Sequence, residues 1–214
     1  FTYLGPSNSY GTLIDKTNFS PSSNYTHPNG FVYVNIPDGM GGWYIGGSFS
    51  SIGGVPRNNV ARINADGTLH PWNPNANNSV KSICSIGGKI YIGGYFTTMG
   101  GQQRNYIAAV DTLLGNLLSW NPNPNQYVTQ LIEDAGLIYV AGKFNTIGGQ
   151  IRNHLAALDT STGAATFWSP NPDSTVSSIA ISGNNLYVGG RFSNIGGQSR
   201  LFFASINKLT GFAN

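Results

Sequence analysis

LIYVAGKFNTIGGQIRNHLAALDTSTGAATFW, residues 137–168, decides the fold because the chain repeats it. Tyr139 has counterparts at Tyr44, Tyr91 and Tyr187, and Phe144 at Phe49, Phe96 and Phe192. The pair Gly148-Gly149 recurs as Gly53-Gly54, Gly100-Gly101 and Gly196-Gly197, and Arg152 as Arg57, Arg104 and Arg200. Trp168 recurs as Trp72 and Trp120. The tryptophans are 48 residues apart and the arginines 47 or 48. A fixed period of this size marks a solenoid, a propeller or an array.

Each unit breaks into four strand-sized pieces. In the third they are Val128 to Ile132, Leu137 to Ala141, His154 to Leu158 and Ala164 to Trp168. They are β-branched and aromatic, and Gly, Asn, Asp and Pro separate them, which is the signature of strands and hairpins. They are too short for helices, and no helical period is present. Ile107-Ala108-Ala109-Val110 and Leu155-Ala156-Ala157-Leu158 are apolar on both faces. A sheet with one solvated face would alternate. A sheet packed between two others need not, and a propeller blade is in that position. The small residues Ala156-Ala157 and Ala141-Gly142 suit crowded positions near an axis. The pattern predicts an all-β protein, a β-propeller of about 48-residue four-stranded blades. Its units are 31–79, 80–127, 128–175 and 176–214. Residues 1–30 depart from the repeat and read as a partial blade or cap. The fourth unit stops two residues short of the next expected Trp, so the chain reads as a fragment of something longer.

Composition narrows the function. Charged residues make up only 9% of the chain, against about 25% in a typical soluble domain. The surface is therefore neutral-polar. The net charge of +3 does not signal nucleic-acid binding, because no Lys/Arg run exists and the lysines are scattered, whereas a phosphate-binding footprint is clustered. Cys84 is the one cysteine; it reads as a small buried apolar residue. No run of 18 apolar residues is present that would span a membrane.

Three stretches carry a resemblance. They are YVGGRFSNIGGQSR (187–200), LAALDTSTG (155–163) and WNPNPN (120–125). They resemble the delta-sixty-type β-propeller repeats of large secreted bacterial proteins, within the kelch- and quinoprotein-like propellers. The opening Tyr3-Leu4-Gly5-Pro6, with the run from Pro37 to Gly47, is similar to the start of such a propeller. The resemblance implies an extracellular or cell-surface location, reached through a signal peptide preceding Phe1. It implies no catalytic residues.

The residues themselves offer no catalytic constellation. Asp66, Asp111 and Asp159 occupy one repeated hairpin turn, where Asp is a turn former. Glu133-Asp134 is the only adjacent acidic pair, and a glycosidase needs two carboxyl groups across a substrate. His27, His70 and His154 fall at different repeat positions, with no zinc spacing. The Gly-Gly pairs sit between strands, whereas a phosphate loop opens a helix. The repeated Arg reads as a rigid fork on loop carbonyls; a ring of Arg binding an anion is the sharper alternative.

Trp72, Trp120 and Trp168 read first as packed indoles. The alternative is one sugar site per blade, with Trp as stacking face and Asn123, Asn125 or Asn171 as hydrogen-bonding partners, repeated for avidity. No cofactor is implied. Calcium held by loop carbonyls and Asp173 is a further alternative, but the ion wants six to eight oxygens and no charged cage is apparent. The expectation is a non-enzymatic secreted or cell-surface scaffold, or an adhesion and protein-interaction module. Its partners would be surface proteins or glycans. A glycan-binding propeller is the alternative; a quinoprotein-type or polysaccharide-cleaving enzyme is less favoured.

Overall fold

The structure is a computed structural model that describes residues 26–214. The 1–30 segment, expected to be a partial blade or cap, falls mostly outside that range. Among the described residues all regular structure is β. Four three-stranded antiparallel sheets follow one another along the chain. The first strands are Phe31–Pro37, Val80–Ile86, Val128–Asp134 and Val176–Ser182. The second strands are Trp43–Ser48, Lys89–Gly94, Leu137–Gly142 and Asn185–Gly190. The third are Val60–Ile63, Ile107–Asp111, Leu155–Asp159 and Phe203–Asn207. The second strand is central in each sheet, and the first strands of successive units touch one another. The first strands are therefore the inner ones.

The fourth strand of each blade is shorter than its sequence suggests. It is held by one bridge per unit, at Leu69, Leu117, Ala165 and Ala213. One more bond to the third strand follows the bridge, from Thr166 N–H to Ala157 O at 2.9 Å, while the Thr166 carbonyl takes the Arg152 side chain at 2.5 Å. A small hairpin appears instead at each Gly-Gly pair, as at Thr146–Ile147 with Gln150–Ile151. Both glycines have positive φ, 57° and 76° at Gly100-Gly101. A tight two-residue type I′ turn requires this of both central residues, which explains why the sequence uses Gly twice.

Apolar clusters lie between units. Tyr91, Ile107, Ala109 and Trp120 of unit 2 pack on Val128, Leu131, Val140 and Phe144 of unit 3. The same positions repeat between units 1 and 2, and between units 3 and 4. Both faces of a middle sheet are thus buried, as the unbroken apolar runs predict. Crowding is greatest where a second strand meets the next inner strand. A Cβ on Gly46 would lie 2.5 Å from Val80 Cγ1, and one on Gly93 2.7 Å from Val128 Cγ1. In unit 4 the corresponding face carries Tyr187 stacked on Phe203 at 6.1 Å, with Phe203 61% exposed.

Every inner strand also carries a bulge. Pairing with the second strand slips between Val32 and Val34, Val80 and Ser82, Val128 and Gln130, and Val176 and Ser178. A bulge leaves its extra residue out of the ladder and re-aims it. Those residues are Tyr33, Lys81, Thr129 and Ser177.

Candidate functional site

The repeated polar residues are engaged inside the fold. Each Arg spans two carbonyls of its own unit. Arg104 donates to Gln103 O at 2.8 Å and Leu118 O at 3.2 Å, and Arg57, Arg152 and Arg200 bond at the same positions. Each indole N–H donates to the unit ahead: Trp72 to Asp111 O at 2.8 Å, Trp120 to Asp159 O at 3.0 Å and Trp168 to Asn207 O at 3.1 Å. The rings meet Tyr44, Tyr91 and Tyr139 edge to face at 4.9 to 5.2 Å, an arrangement aromatic pairs favour. All three indoles are buried, the most exposed at 7%. The stacking faces expected of them for sugars are therefore covered, because the indole fills the seam between units.

The three asparagines stay at the surface. Asn123 and Asn171 have positive φ, 47° and 51°. Their side-chain oxygens accept from Asn105 at 2.8 Å and Asn153 at 2.6 Å. Asn125 Oδ1 accepts from the N–H groups of Asn145 and Thr146 at 2.8 and 3.2 Å. Clefts open beside these loops. One, of about 550 Å³, lies between Asn123, the Gly148-Gly149 hairpin and Gly163. Another, of about 420 Å³, lies at the equivalent place beside Asn171, Gly196-Gly197 and Gly211.

The remaining polar candidates are dispersed. Asp111 and Asp159 each accept several turn N–H groups. Glu133 accepts from Gly136 N–H at 3.3 Å, and Asp134 pairs with Lys208 at 2.5 Å, so this adjacent pair does not face one substrate. The Asp173 oxygens accept from Ser193 N–H and Asn194 Nδ2 at 2.8 and 2.9 Å. His70 Nδ1 accepts from Trp72 N–H at 3.0 Å. Burial, with a smaller effect from Glu133, pushes the Cys84 thiol up to about 12, so it is not a thiolate nucleophile near neutrality. Among the described residues no group of three or more His, Cys, Asp or Glu could hold a metal ion.

A second constellation lies where the inner strands begin, and the repeat-based reading missed it. Lys81 Nζ sits 3.4 Å from the Tyr33 ring centroid and 5.5 Å from that of Tyr95. Tyr95 meets Tyr127 at 4.6 Å, and Tyr33 stacks on Phe31 at 6.3 Å. Tyr33 and Lys81 are bulge residues. Tyr95 follows a second strand; Lys143 and Arg191 follow the corresponding strands of units 3 and 4. Backbone bonds fix this position in each unit: Tyr95 N–H to Ser79 O, Lys143 to Tyr127 O and Arg191 to Thr175 O, at 2.9 to 3.0 Å. Burial raises the Tyr95 phenol, with Tyr127 and Tyr33 adding to it. The signal available in the sequence was variation rather than repetition: Tyr33, Lys81, Thr129 and Ser177 differ, although each follows a recurring valine, Val32, Val80, Val128 or Val176.

This architecture places the chain among the β-propellers. A family described as "Domain of unknown function (DUF5122) beta-propeller" matches at residues 41–71 and 88–108. The computationally designed Ika8 protein superposes with a TM-score of 0.63 at 14% identity, over 94% of this chain and 54% of that one. This chain thus spans about half the length of Ika8. The designed Ika4 protein superposes with a TM-score of 0.50 at 16% identity, over 69% of this chain and 78% of that one. At these identities the likeness is one of fold. No curated protein matches.

Proposed function

We propose that this chain is a non-catalytic scaffold and interaction module that works outside the cell or at its surface, with surface proteins or glycans as partners. The observation that carries this reading is the use of the repeated polar groups. The Arg forks, the indole N–H groups and the turn aspartates all bond within the fold. They fix geometry and leave the unrepeated surface positions to determine binding. The low charged content of 9% is in keeping with a neutral-polar display surface. The test is to incubate the purified chain with a panel of polysaccharides and peptides, following both binding and product formation. Binding without turnover is expected. Turnover that a single substitution abolishes would overturn the reading.

A second reading, glycan binding at one site per blade, is favoured by the recurrence of the rim cleft beside Asn123 and Asn171. Its contacts would be the loop asparagines and main chain, with the buried indoles supporting the floor. It predicts more than one ligand per chain.

A further inference from the structure

The described acids are segregated along the strands. Asp111 pairs with Lys89 and Asp159 with Leu137 in the sheets, so both lie where second strands begin. Asp38, Glu133 and Asp134 lie at the same end, at the turn between first and second strands. So do the two ion pairs found among the described residues, Arg62–Asp38 and Lys208–Asp134. The opposite end, where inner strands start, carries Lys81, Lys143 and Arg191. Its acid among the described residues is Asp173, three residues before Val176, whose oxygens already accept from Ser193 and Asn194.

That end also holds the aromatic row. Tyr33 is 45% exposed, and Tyr95 and Tyr127 are half-buried. Lys81 is held between the rings of Tyr33 and Tyr95 by cation–π attraction, so its ammonium is positioned before any ligand arrives and loses little freedom on binding. Aromatic rings beside a fixed cation, next to the neutral-polar Asn77, Ser79 and Thr97, match a pyranose ring bearing a carboxylate. They match a nucleic acid less well, because such a strand needs a longer track of cations along its backbone.

We propose that the strand-start end of the inner strands binds an acidic polysaccharide, with Tyr95 and Tyr127 against the sugar, Tyr33 holding Lys81 in place, and Lys81, Lys143 and Arg191 pairing with uronate carboxylates. This site is distinct from the rim clefts, and the proposal rests on the reading of the chain as an interaction module.

The experiment titrates the chain with oligogalacturonate, with a neutral cello-oligosaccharide and poly-dT as comparisons. Each variant takes the residue that another unit uses at the same position: Lys81→Thr, Tyr95→Ser, Lys143→Ser and Arg191→Ser. Such changes are compatible with the repeat, and circular dichroism checks this. Lys89→Ser, at the opposite end, removes the same charge elsewhere. The expected result is one oligogalacturonate per chain, with binding weakened by salt. Lys81→Thr or Tyr95→Ser should weaken it about tenfold, the equivalent of one good contact, and Lys89→Ser should leave it unchanged. No oligogalacturonate binding, an equal loss in Lys89→Ser, or tighter binding of poly-dT would each overturn the site. Retained binding of another partner in those cases would leave the module reading standing. Shortening of a bound oligogalacturonate would support the site while overturning the non-catalytic reading.

Discussion

Trp120 of one unit donates its indole N–H to the main-chain oxygen of Asp159 in the next, 3.0 Å away and 39 residues along the chain. The ring packs on Tyr91 of its own unit while the nitrogen bonds the turn of the following one. One side chain therefore links two blades by packing and by a directional bond. Trp120→Phe keeps most of the packing and leaves Asp159 O without this donor, at an expected cost of about 1–3 kcal/mol. Trp120→Ala also opens a cavity and should cost about 3–5 kcal/mol. Urea denaturation measures both. Equal midpoints for the Phe variant and the parent would show that the bond is dispensable.

The Gly-Gly hairpins allow backbone conformation and space to be separated. At Gly101, φ is 76° and an added Cβ would meet nothing within 4 Å. Gly101→Ala should cost about 1 kcal/mol, from conformation alone. At Gly148, φ is 60° and a Cβ would run into Ala165 N and Gly163 O. Gly148→Ala should therefore cost distinctly more. Comparable losses in a paired thermal melt would mean that crowding against the outer segment contributes nothing.

Four non-glycine residues just before the third strands are left-handed: Asn59, Tyr106, His154 and Phe202, with φ of 60° to 65°. Asn tolerates this region far better than an aromatic residue does. Phe202 is 63% exposed, so little packing is lost when it is replaced. Phe202→Asn, the residue used in unit 1, should raise stability by about 1 kcal/mol. A lower denaturation midpoint would show instead that the exposed ring makes a contact worth more than the strain.

Much of the fold was legible because its determinants are local. β-Branched and aromatic strand residues and paired glycines define hairpins wherever they stand, and the repeat sets their spacing. The indole bond to the next unit was not legible, since the acceptor is a main-chain oxygen that no residue type advertises. The shortened fourth strand had a similar cause: Ala164 to Trp168 has strand-like residues, yet the Thr166 carbonyl is taken by Arg152. The aromatic and cationic row was missed for the opposite reason. Tyr33 and Lys81 break the repeat, and only the bulge in each inner strand brings their side chains together.

Arg62 stands where units 2 and 3 have Ala109 and Ala157, and it pairs with Asp38 at 2.8 Å. Both side chains are nearly inaccessible, at 9% and 2%. Burial by itself would raise the Asp38 carboxyl, but hydrogen bonds from Met40 N–H, Arg62 and Gly42 N–H outweigh it, and the net direction is downward. A carboxyl depressed in the folded state contributes stability that is present above its unfolded value, near 3.9, and is lost as pH falls through the folded value. The parent should therefore lose stability in acid below about pH 4. Asp38→Asn leaves the guanidinium buried without its counter-ion and should cost about 3–5 kcal/mol at pH 7. The gap between variant and parent should narrow as the pH drops, because protonation removes the same charge from the parent. Chemical denaturation of both proteins between pH 3 and 7 tests this. A gap that stays constant with pH would mean that the pair contributes through packing and not through its charge.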